Sequence, residues 1–242
     1  MKIFAVSDVH GFFTEMKTAL DEAGFDPENE NHWLFVLGDI IDRGREPEQI
    51  IEYLLSLPRK VLIRGNHEDL FESACQRCRC LSHDIHNGTL QTILDLNNPP
   101  PMLRLSEYNF SEAYRKMKPI LDSMVDYFET ENYIFTHAWL PTPYLLENEN
   151  TPADWHCAET QHWNKARWCN PFEIAPHDPQ GKTVVFGHWH TSAGWAEKEN
   201  RSEFGTDARF DIFYGEGYIA LDTCTAHTGR INCLVIDDNF TI

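Results

Sequence analysis

Positive charge is scarce in this sequence. Its 242 residues carry 20 Lys and Arg against 38 Asp and Glu, which gives a formal net charge of −18. A chain this acidic is poorly suited to bind nucleic acid or an anionic membrane by general neutralisation of phosphates. We therefore expect no nucleic acid and no membrane as partner, while a few well-placed cations can still bind a small phosphorylated substrate.

Long apolar segments are absent as well. Uncharged apolar runs such as residues 33–37 are far shorter than the ~20 residues that a membrane-spanning helix needs. The N-terminal stretch MKIFAVSDVHGFF loses its apolar character at Asp8 and lacks a small-residue cleavage site. It is typical of a first β-strand rather than a signal peptide, so we expect a cytoplasmic protein.

Internal repeats, low-complexity tracts and linker-like stretches are also missing. The length is ample for a sizeable buried core, and we expect a single domain over residues 1–242. Prolines are concentrated in residues 141–181, which indicates a loop-rich insertion within that domain.

The seven cysteines give an odd count in a chain without a recognisable leader, which favours reduced thiols. Three of them, Cys75, Cys78 and Cys80, precede His83 and His86 and form the one candidate zinc cluster. Their spacing does not match a standard zinc finger, and no second CxxC accompanies it. We favour plain thiols here and keep a structural zinc site as the alternative.

Apolar strands alternate with amphipathic helices early in the chain. Strands are predicted at residues 2–7, 33–37 and 61–63, with helices at 13–23 and 46–57 between them. Further helices are predicted at about 68–79, 88–96 and 107–129, and further strands at 133–135, 183–186, 218–221 and 231–236, the last two completing a second sheet. This order is typical of an α/β protein, whose parallel strands bring their carboxyl ends to one edge of the sheet.

Histidine is abundant, with 12 residues, and metal-ligand residue types follow five of the predicted strands. These residues are Asp8 and His10, then Asp39, then Asn66 and His67, then His137, then His188 and His190. One such residue is usually a cap, but capping does not explain five strand ends in series. A mixture of carboxylate, imidazole and amide suits Mn²⁺, Fe or Zn²⁺ better than Ca²⁺ or a thiolate zinc site. The number of ligands suits two metals.

Four motifs carry a family resemblance: DVHG at 8–11, GDIIDRG at 38–44, GNHE at 65–68 and GHWH at 187–190. Together they resemble the calcineurin-like metallophosphoesterases. The second and third are similar to its PPP-type branch, which holds Ser/Thr protein phosphatases and symmetrical diadenosine tetraphosphate hydrolases. NGTLQT at 87–92 and IALD at 219–222 extend the resemblance, which runs from residue 1 to about 235. It implies a four-layer sandwich of two mixed β-sheets flanked by helices, with a dimetal site at the carboxyl ends of strands.

The resemblance also implies a ligand set for two divalent metal ions, with Mn²⁺ favoured and Fe or Zn²⁺ as alternatives. The first metal takes Asp8, His10, Asp39 and His190, and the second takes Asp39, Asn66, His137 and His188. Asp39 bridges the pair. The second histidine of GHWH is typical of the wider superfamily, whereas many members of the PPP branch lack it.

The implied chemistry is in-line hydrolysis of a phosphoester. Two cations lower the pKa of a bridging water, and the resulting hydroxide attacks phosphorus. His67, next to Asn66, is the candidate general acid, and Asp42 would fix its tautomer. Arg43 is a candidate phosphate clamp, because its guanidinium forms a permanently charged fork. Arg167 is the candidate second clamp. Residues 119–164 hold eight acidic residues and neither Lys nor Arg, and Arg167 is one of the two basic residues that directly follow this stretch.

The favoured function is a Ser/Thr protein phosphatase, whose basic phosphopeptide substrates the acidic residues 119–164 would suit. The alternative is a symmetrical dinucleoside tetraphosphate hydrolase with the same metals and clamps. An inactive phosphate-binding module is disfavoured because the ligand set is accompanied by His67, Asp42 and Arg43.

Tryptophans supply the remaining expectations about the substrate side. Trp139 stands where the branch usually has glycine, and we expect it to form a wall of the substrate groove. Trp155, Trp163, Trp168 and Phe172 are expected to pack in the core or a lid, with stacking on a nucleobase as the alternative.

Overall fold

The first β-sheet positions the N-terminal half of the predicted site. The computed structural model describes residues 1–97, 109–146 and 152–241. The sheet contains β1 (Lys2–Val6), β2 (His32–Leu37), β3 (Lys60–Ile63), β4 (Met124–Val125) and β10 (Leu234–Asp237), in the order β10-β1-β2-β3-β4. The strands β1 to β4 are parallel, and β10 is antiparallel to β1.

The second sheet positions the remaining ligands. It contains β5 (Tyr127–Glu129), β6 (Tyr133–Thr136), β7 (Thr183–Phe186), β8 (Phe213–Tyr214) and β9 (Tyr218–Ala220), in the order β5-β6-β7-β9-β8. The central strands β6, β7 and β9 are parallel, while β5 and β8 are antiparallel edge strands. Both sheets are therefore mixed, as predicted.

The helices lie along the chain as follows: α1 (Phe13–Ala23), α2 (Pro47–Ser56), α3 (Asn66–Arg77), α4 (Ser82–Asn87), α5 (Thr89–Asn97), α6 (Phe110–Leu121), α7 (Pro143–Leu146), α8 (Thr160–Ala166), α9 (Pro171–Ile174), α10 (Thr191–Glu199) and α11 (Thr225–Thr228). Helix α1 ends where Gly24 takes a left-handed conformation, and Pro47 opens α2, as the sequence signals predict. Among the described residues, no helix is both long enough and apolar enough to cross a bilayer.

Three clusters of buried apolar side chains show how the layers stack. One lies between the sheets and takes Ile3 and Phe35 from the first and Phe135 and Val185 from the second. A second packs the helices α1, α2, α3, α5 and α6 on the outer face of the first sheet, and a third packs the 155–175 region on the outer face of the second. The result is the predicted sandwich of helices, sheet, sheet and helices.

Two predicted elements are wrong. The helix predicted at 107–129 begins outside the described residues and ends at Leu121, after which the chain forms β4 and β5. Neither Gly nor Pro follows Leu121 to mark this end, and the segment gains ladder hydrogen bonds to β3 and β6 that a longer helix would forgo. The last strand was predicted in the second sheet, but β10 pairs with β1 and covers that edge of the first sheet.

The insertion at 141–181 is built from short helices as much as from loops. In its described residues, α7, α8 and α9 alternate with 3₁₀ turns at Trp155–Cys157 and Ala175–His177. Trp155, Trp163 and Phe172 are buried in the cluster on the second sheet, which confirms the core expectation for these three side chains.

Trp139 belongs to the same cluster, so the expectation that it lines a groove is wrong. It is 2% exposed, and its Nε1 donates to Asp178 at 3.0 Å. The indole is satisfied inside the protein by that carboxylate, which a sequence pattern cannot supply.

Asp238 links the two sheets, and its removal gives a testable effect on stability. Its carboxylate accepts hydrogen bonds from Thr130 Oγ1 at 2.5 Å and from Asn132 N and Nδ2 at 3.0 and 2.7 Å. Burial alone would raise the pKa of Asp238. The hydrogen bonds from these donors outweigh the effect of burial and hold the pKa below its usual value. We expect Asp238→Ala to lower the free energy of unfolding by about 1–3 kcal/mol at pH 7.

The pH dependence of that loss follows from the depressed pKa. The stabilisation is present above the unfolded pKa and disappears as pH falls through the folded one, so the difference between the two proteins should shrink on acidification. Urea unfolding at neutral and acidic pH measures it, with the exposed neighbour Asp237→Ala as control. Equal losses in both variants would contradict a specific role for Asp238.

Candidate metal centre and active site

Six of the seven predicted metal ligands meet where the two sheets present the carboxyl ends of their strands. The residues and the strands they follow are Asp8 and His10 after β1, Asp39 after β2, Asn66 after β3, His137 after β6 and His188 after β7. All of them except His188, which is half-buried, are buried. Residues that lie up to 180 positions apart in the chain are thus brought to one place.

The backbone at this place is unusual. Six predicted site residues have φ between 48° and 74°, namely Asp8, His10, Asp39, Asp42, Arg43 and His188. This left-handed region costs a non-glycine residue of order 1–3 kcal/mol and persists where the surroundings enforce it, commonly at functional sites. Here the turns after three strands adopt it, and each turn directs its side chains toward the same region.

The first group of convergent ligands, called here the His137 group, consists of Asp39, His137 and His188 together with Asn66. Nδ1 of His137 hydrogen-bonds the carbonyl of Leu37 at 2.7 Å, so Nε2 presents a lone pair. That nitrogen lies 2.8 Å from Oδ1 of Asn66 and 3.4 Å from Oδ1 of Asp39. Three acceptor atoms face one another, and a cation among them would satisfy all three.

The second group, called here the His10 group, consists of His10, Asp39 and His67 with Asp8 beside them. Nδ1 of His10 hydrogen-bonds the Ile41 carbonyl at 3.0 Å, which again leaves Nε2 as an acceptor. Nε2 lies 3.8 Å from Oδ2 of Asp39 and 4.0 Å from Oδ1 of Asp8. This Asp8 oxygen is buried and has no hydrogen-bond partner.

Asp39 belongs to both groups, with Oδ1 toward His137 and Oδ2 toward His10. Burial alone would raise the pKa of Asp39. The surrounding histidines outweigh the effect of burial and hold the pKa well below its usual range. The carboxylate is therefore ionised. Its position is the one that a ligand bridging two cations would need.

The electrostatics fit a pair of divalent cations. Burial lowers the pKa of His10 and of His137, and lowers that of His188 to about 3, so all three are neutral imidazoles ready to ligate. Burial and the nearby charges of Asp222 and Asp39 raise the pKa of Asp8. Such an excess of buried carboxylates and lone pairs is stabilised by bound cations, and the mixture of nitrogen and oxygen donors suits a transition metal.

His67 and Asp42 form a buried hydrogen-bonded pair next to these groups. Nδ1 of His67 lies 2.7 Å from Oδ2 of Asp42. Asp42 is held in turn by the hydroxyls of Thr89 at 2.8 Å and Thr92 at 2.7 Å, from a segment that the sequence did not assign to the site. Burial alone would lower the pKa of His67. The carboxylates of Asp39 and Asp42 outweigh the effect of burial and raise the pKa above its ordinary value.

Arg43 is exposed and reaches the same place. Its Nη2 lies 3.3 Å from Nε2 of His67, and its charge lowers the pKa of His10. A permanent cation thus stands free to bind an anion directly beside the candidate acid.

Glu68 is a site residue that the sequence analysis missed. It is fully buried, and its carboxylate accepts the backbone N–H groups of Asp39, Ile40 and Gly65 at 2.8–2.9 Å. Burial and the charge of Asp39 raise the pKa of Glu68 to about 7, against those three donors. Gly65 is required beside it, because a Cβ there would overlap the Asp39 side chain. The signal was available, since a Glu three residues after Gly65 forms a capping box.

Glu68→Gln tests this arrangement. The amide keeps the shape but places an NH₂ group against at least one backbone N–H, so the turn that carries Asp39 is no longer fully satisfied. We expect a loss of about 1–3 kcal/mol in unfolding free energy and a 10- to 100-fold weaker metal affinity. Thermal denaturation and metal titration measure these effects, and the exposed Glu52→Gln is the control. Unchanged metal affinity would contradict the positioning role.

Asp222 also escaped assignment, although the IALD motif contains it. It is buried at the end of β9, its Oδ1 accepts the N–H of Cys224 at 2.7 Å, and burial raises its pKa to about 6. Next to it, Thr225 donates from Oγ1 to the Asp8 carbonyl at 2.9 Å. The segment that follows β9 therefore supports, through Thr225 of α11, the turn that carries Asp8.

His190 joins neither group of convergent ligands among the described residues. Its Nε2 lies 3.2 Å from Oε1 of Glu203, its ring contacts Phe204, and its Nδ1 is buried without a hydrogen-bond partner. Burial and the charges of His227 and Arg43 lower its pKa to about 4. His190 therefore stands outside both convergent groups, and its role as a metal ligand stays a prediction.

Arg167 is not a free clamp. The residue is 3% exposed, and its guanidinium pairs with Asp69 at 2.8 Å and with Asp126 and also donates to Asn164 at 2.7 Å. Burial lowers the pKa of His137, and the charge of Arg167 adds to that effect, so Arg167 lies near the site with its guanidinium already paired. The acidic segment that suggested a clamp supplies one of its partners, Asp126.

The cysteine cluster is also separate from the metal groups. Cys75, Cys78 and Cys80 are free thiols, and no described group of convergent metal ligands includes them. Burial raises the pKa of Cys75 to about 12 and that of Cys80 to about 11, which keeps both protonated. His83 instead lies 2.9 Å from Asp84.

Comparison with known families decides the assignment. The family model of the calcineurin-like phosphoesterases matches residues 1–192. The chain belongs to this family. It is therefore a phosphoester-hydrolysing enzyme of a dimetal-dependent family, and the described residues supply candidate ligands for the metals.

Three relatives at the sequence level carry the same name. A symmetrical bis(5′-nucleosyl)-tetraphosphatase of Aliivibrio salmonicida is 23% identical over 81% of this chain and 87% of that protein. Proteins of the same name from Serratia proteamaculans and Pseudomonas fluorescens are 36% and 28% identical, over 28% and 61% of this chain and 24% and 46% of their own lengths.

Solved structures support the fold. A cold-active protein tyrosine phosphatase superposes with a TM-score of 0.60 and 16% identity, covering 98% of this calcineurin-like chain and 75% of its own. A diadenosine tetraphosphatase of provisional assignment superposes at 0.54 with 14% identity, covering 100% of this chain and 95% of its own.

Proposed function

We propose that this calcineurin-like enzyme holds two divalent cations between its sheets and hydrolyses phosphoesters there. The observation that carries the proposal is Asp39, whose two oxygens face two separate histidine groups. His10 and Asp8 would hold one cation, and Asn66, His137 and His188 the other. The bound cations would activate a water and polarise the phosphoryl oxygens.

The chain's own residues supply the other parts of the reaction. Arg43 would bind a non-bridging phosphate oxygen, because it is an exposed cation in contact with His67. In doing so it would leave Nε2 of His67 free. His67, with Nδ1 held by Asp42, would then donate the Nε2 proton to the leaving oxygen.

A dinucleoside tetraphosphate is the first candidate substrate. The support is the shared name of the relatives, one of which aligns over four-fifths of this chain. The sequence placed a phosphoserine or phosphothreonine peptide first, on the strength of the acidic residues 119–164. That support is weaker in the fold, because Asp126 pairs with Arg167, and Glu129 lies near Lys182 and His156.

A substrate panel with metal removal tests the proposal. We expect hydrolysis of p-nitrophenyl phosphate, diadenosine tetraphosphate and a phosphoserine peptide, with diadenosine tetraphosphate turned over fastest by kcat/KM. Exhaustive chelation should abolish all three activities because every proposed step depends on the cations, and Mn²⁺ should restore them. Product release measured by chromatography reports each rate.

Two outcomes change the interpretation. Full activity after chelation would contradict the dimetal site itself. A phosphopeptide turned over faster than diadenosine tetraphosphate would leave the dimetal chemistry in place and restore the protein phosphatase as first candidate.

A further inference from the structure

Two exposed indoles flank a candidate metal ligand. Trp168 is 48% exposed and Trp189 is 36% exposed, and their ring centres lie 6.4 and 6.2 Å from the ring of His188. All seven tryptophans lie in the described residues, and the other five are buried or half-buried. The exposed indoles are thus confined to the metal centre.

Trp168 is held in place by contacts on both sides. Its neighbour Arg167 pairs with Asp69 on α3 and with Asp126 beside β5. Its own backbone N–H donates to the Lys165 carbonyl at 3.1 Å. The indole therefore stands on an anchored backbone, and ordering it for a ligand costs little conformational entropy.

Trp189 is fixed by its place in the chain. It follows His188 directly, and its backbone N–H donates to the Gly187 carbonyl at 2.7 Å in the tight turn after β7. Both exposed indoles therefore lie beside the ring of one candidate ligand, His188.

We propose that Trp168 and Trp189 stack on a planar aromatic group carried by the phosphoester, which sets a preference for nucleoside and aryl phosphates. This inference rests on the proposed function. A planar ring can cover an exposed indole and gain both burial and stacking. The surface needs no positive charge to do so, which suits a chain with a net charge of −18.

The experiment compares the variants Trp168→Leu and Trp189→Leu on matched substrates in the presence of Mn²⁺. Diadenosine tetraphosphate and p-nitrophenyl phosphate carry an aromatic group, whereas inorganic triphosphate and a phosphoserine peptide without aromatic residues do not. For the first two we expect each variant to raise KM roughly 5- to 150-fold, the range that base stacking covers. For the other two KM should stay within about 2-fold.

Matched controls separate stacking from structure. Trp168→Phe keeps an aromatic face and should restore most of the lost affinity. Tyr214→Leu removes an aromatic residue of similar exposure, 52%, on the far edge strand β8 and should change no KM.

A binding measurement gives a readout that does not depend on turnover. Adenosine monophosphate should quench tryptophan fluorescence of the wild-type enzyme, and the quenching should largely disappear in the double Trp168→Leu, Trp189→Leu variant. Persistent quenching in that variant would overturn the proposal.

The kinetic outcomes are also decisive. KM raised equally for all four substrates would show a merely structural role, and KM raised only for the phosphoserine peptide would show that the indoles contact peptide rather than a planar ring. Either result overturns the inference. If no phosphoester is hydrolysed with metal present, the proposed function fails. If hydrolysis is intact but the variants do not change KM differently for substrates with and without an aromatic group, only the stacking surface is contradicted.

Discussion

Asp39→Asn is expected to remove activity and metal together. The substitution keeps the size of the side chain but discards the negative charge and replaces one oxygen with a donor. Since Oδ1 faces His137 and Oδ2 faces His10, at least one of the two groups loses its shared ligand. Metal charge stabilisation contributes several kcal/mol to such reactions, so kcat/KM should fall at least ~10³-fold. Metal analysis and hydrolysis of p-nitrophenyl phosphate measure both effects.

The folded state should survive this change. The side chain keeps its size, and the backbone N–H of residue 39 keeps its hydrogen bond to Glu68 in the variant. Asp237→Asn, on the exposed end of β10, is the control for a generic loss of charge. Retention of two metals per chain in Asp39→Asn would contradict the bridging position.

The ligand set could be predicted from the sequence because it follows from topology. Parallel strands bring their carboxyl ends to one edge, so polar residues directly after apolar strands must meet there. Asp8, Asp39 and His137 were placed in this way, and the structure brings them together. The end of each apolar run shows where its strand ends, so these residues could be placed without knowing any long-range contact.

Partners of long polar side chains could not be predicted in the same way. Arg167 meets Asp69 and Asp126, which precede it by 98 and 41 residues. Charge patterning reports which residues are rare in a segment but not which carboxylate folds back onto them. The role predicted for Arg167 therefore depended on information that only the packing of α3 against the insertion contains.

Sheet membership at the chain end was equally beyond the sequence. The apolar residues near 231–236 predict a strand, but an edge strand can close either sheet with similar hydrogen bonds. Pairing of Lys2 with Asp237 and of Ala5 with Leu234 places it on the first sheet. In this position β10 covers the open edge of β1. Which sheet has an open edge depends on the topology of the whole chain and not on the sequence of the strand itself.

His67→Asn is expected to lower kcat by about 10²- to 10⁴-fold on a phosphoserine peptide, the usual range for loss of a general acid. The serine alkoxide is a poor leaving group and needs the proton that Nε2 supplies. On p-nitrophenyl phosphate the loss should be much smaller, because p-nitrophenolate leaves without protonation. Steady-state kinetics on the two substrates, with metal content measured in parallel, provide the comparison.

The same pair of measurements distinguishes an acid from a ligand. Nε2 of His67 lies 3.8 Å from Oδ2 of Asp39, the distance that His10 also shows, so geometry alone permits His67 to ligate. The contact of Arg43 with this nitrogen and the hold of Asp42 on the other favour proton transfer. As a positioning control, Asp42→Asn should reproduce the leaving-group dependence with full metal content. If His67→Asn instead loses a metal and slows both substrates equally, His67 is a ligand and the proton must come from elsewhere.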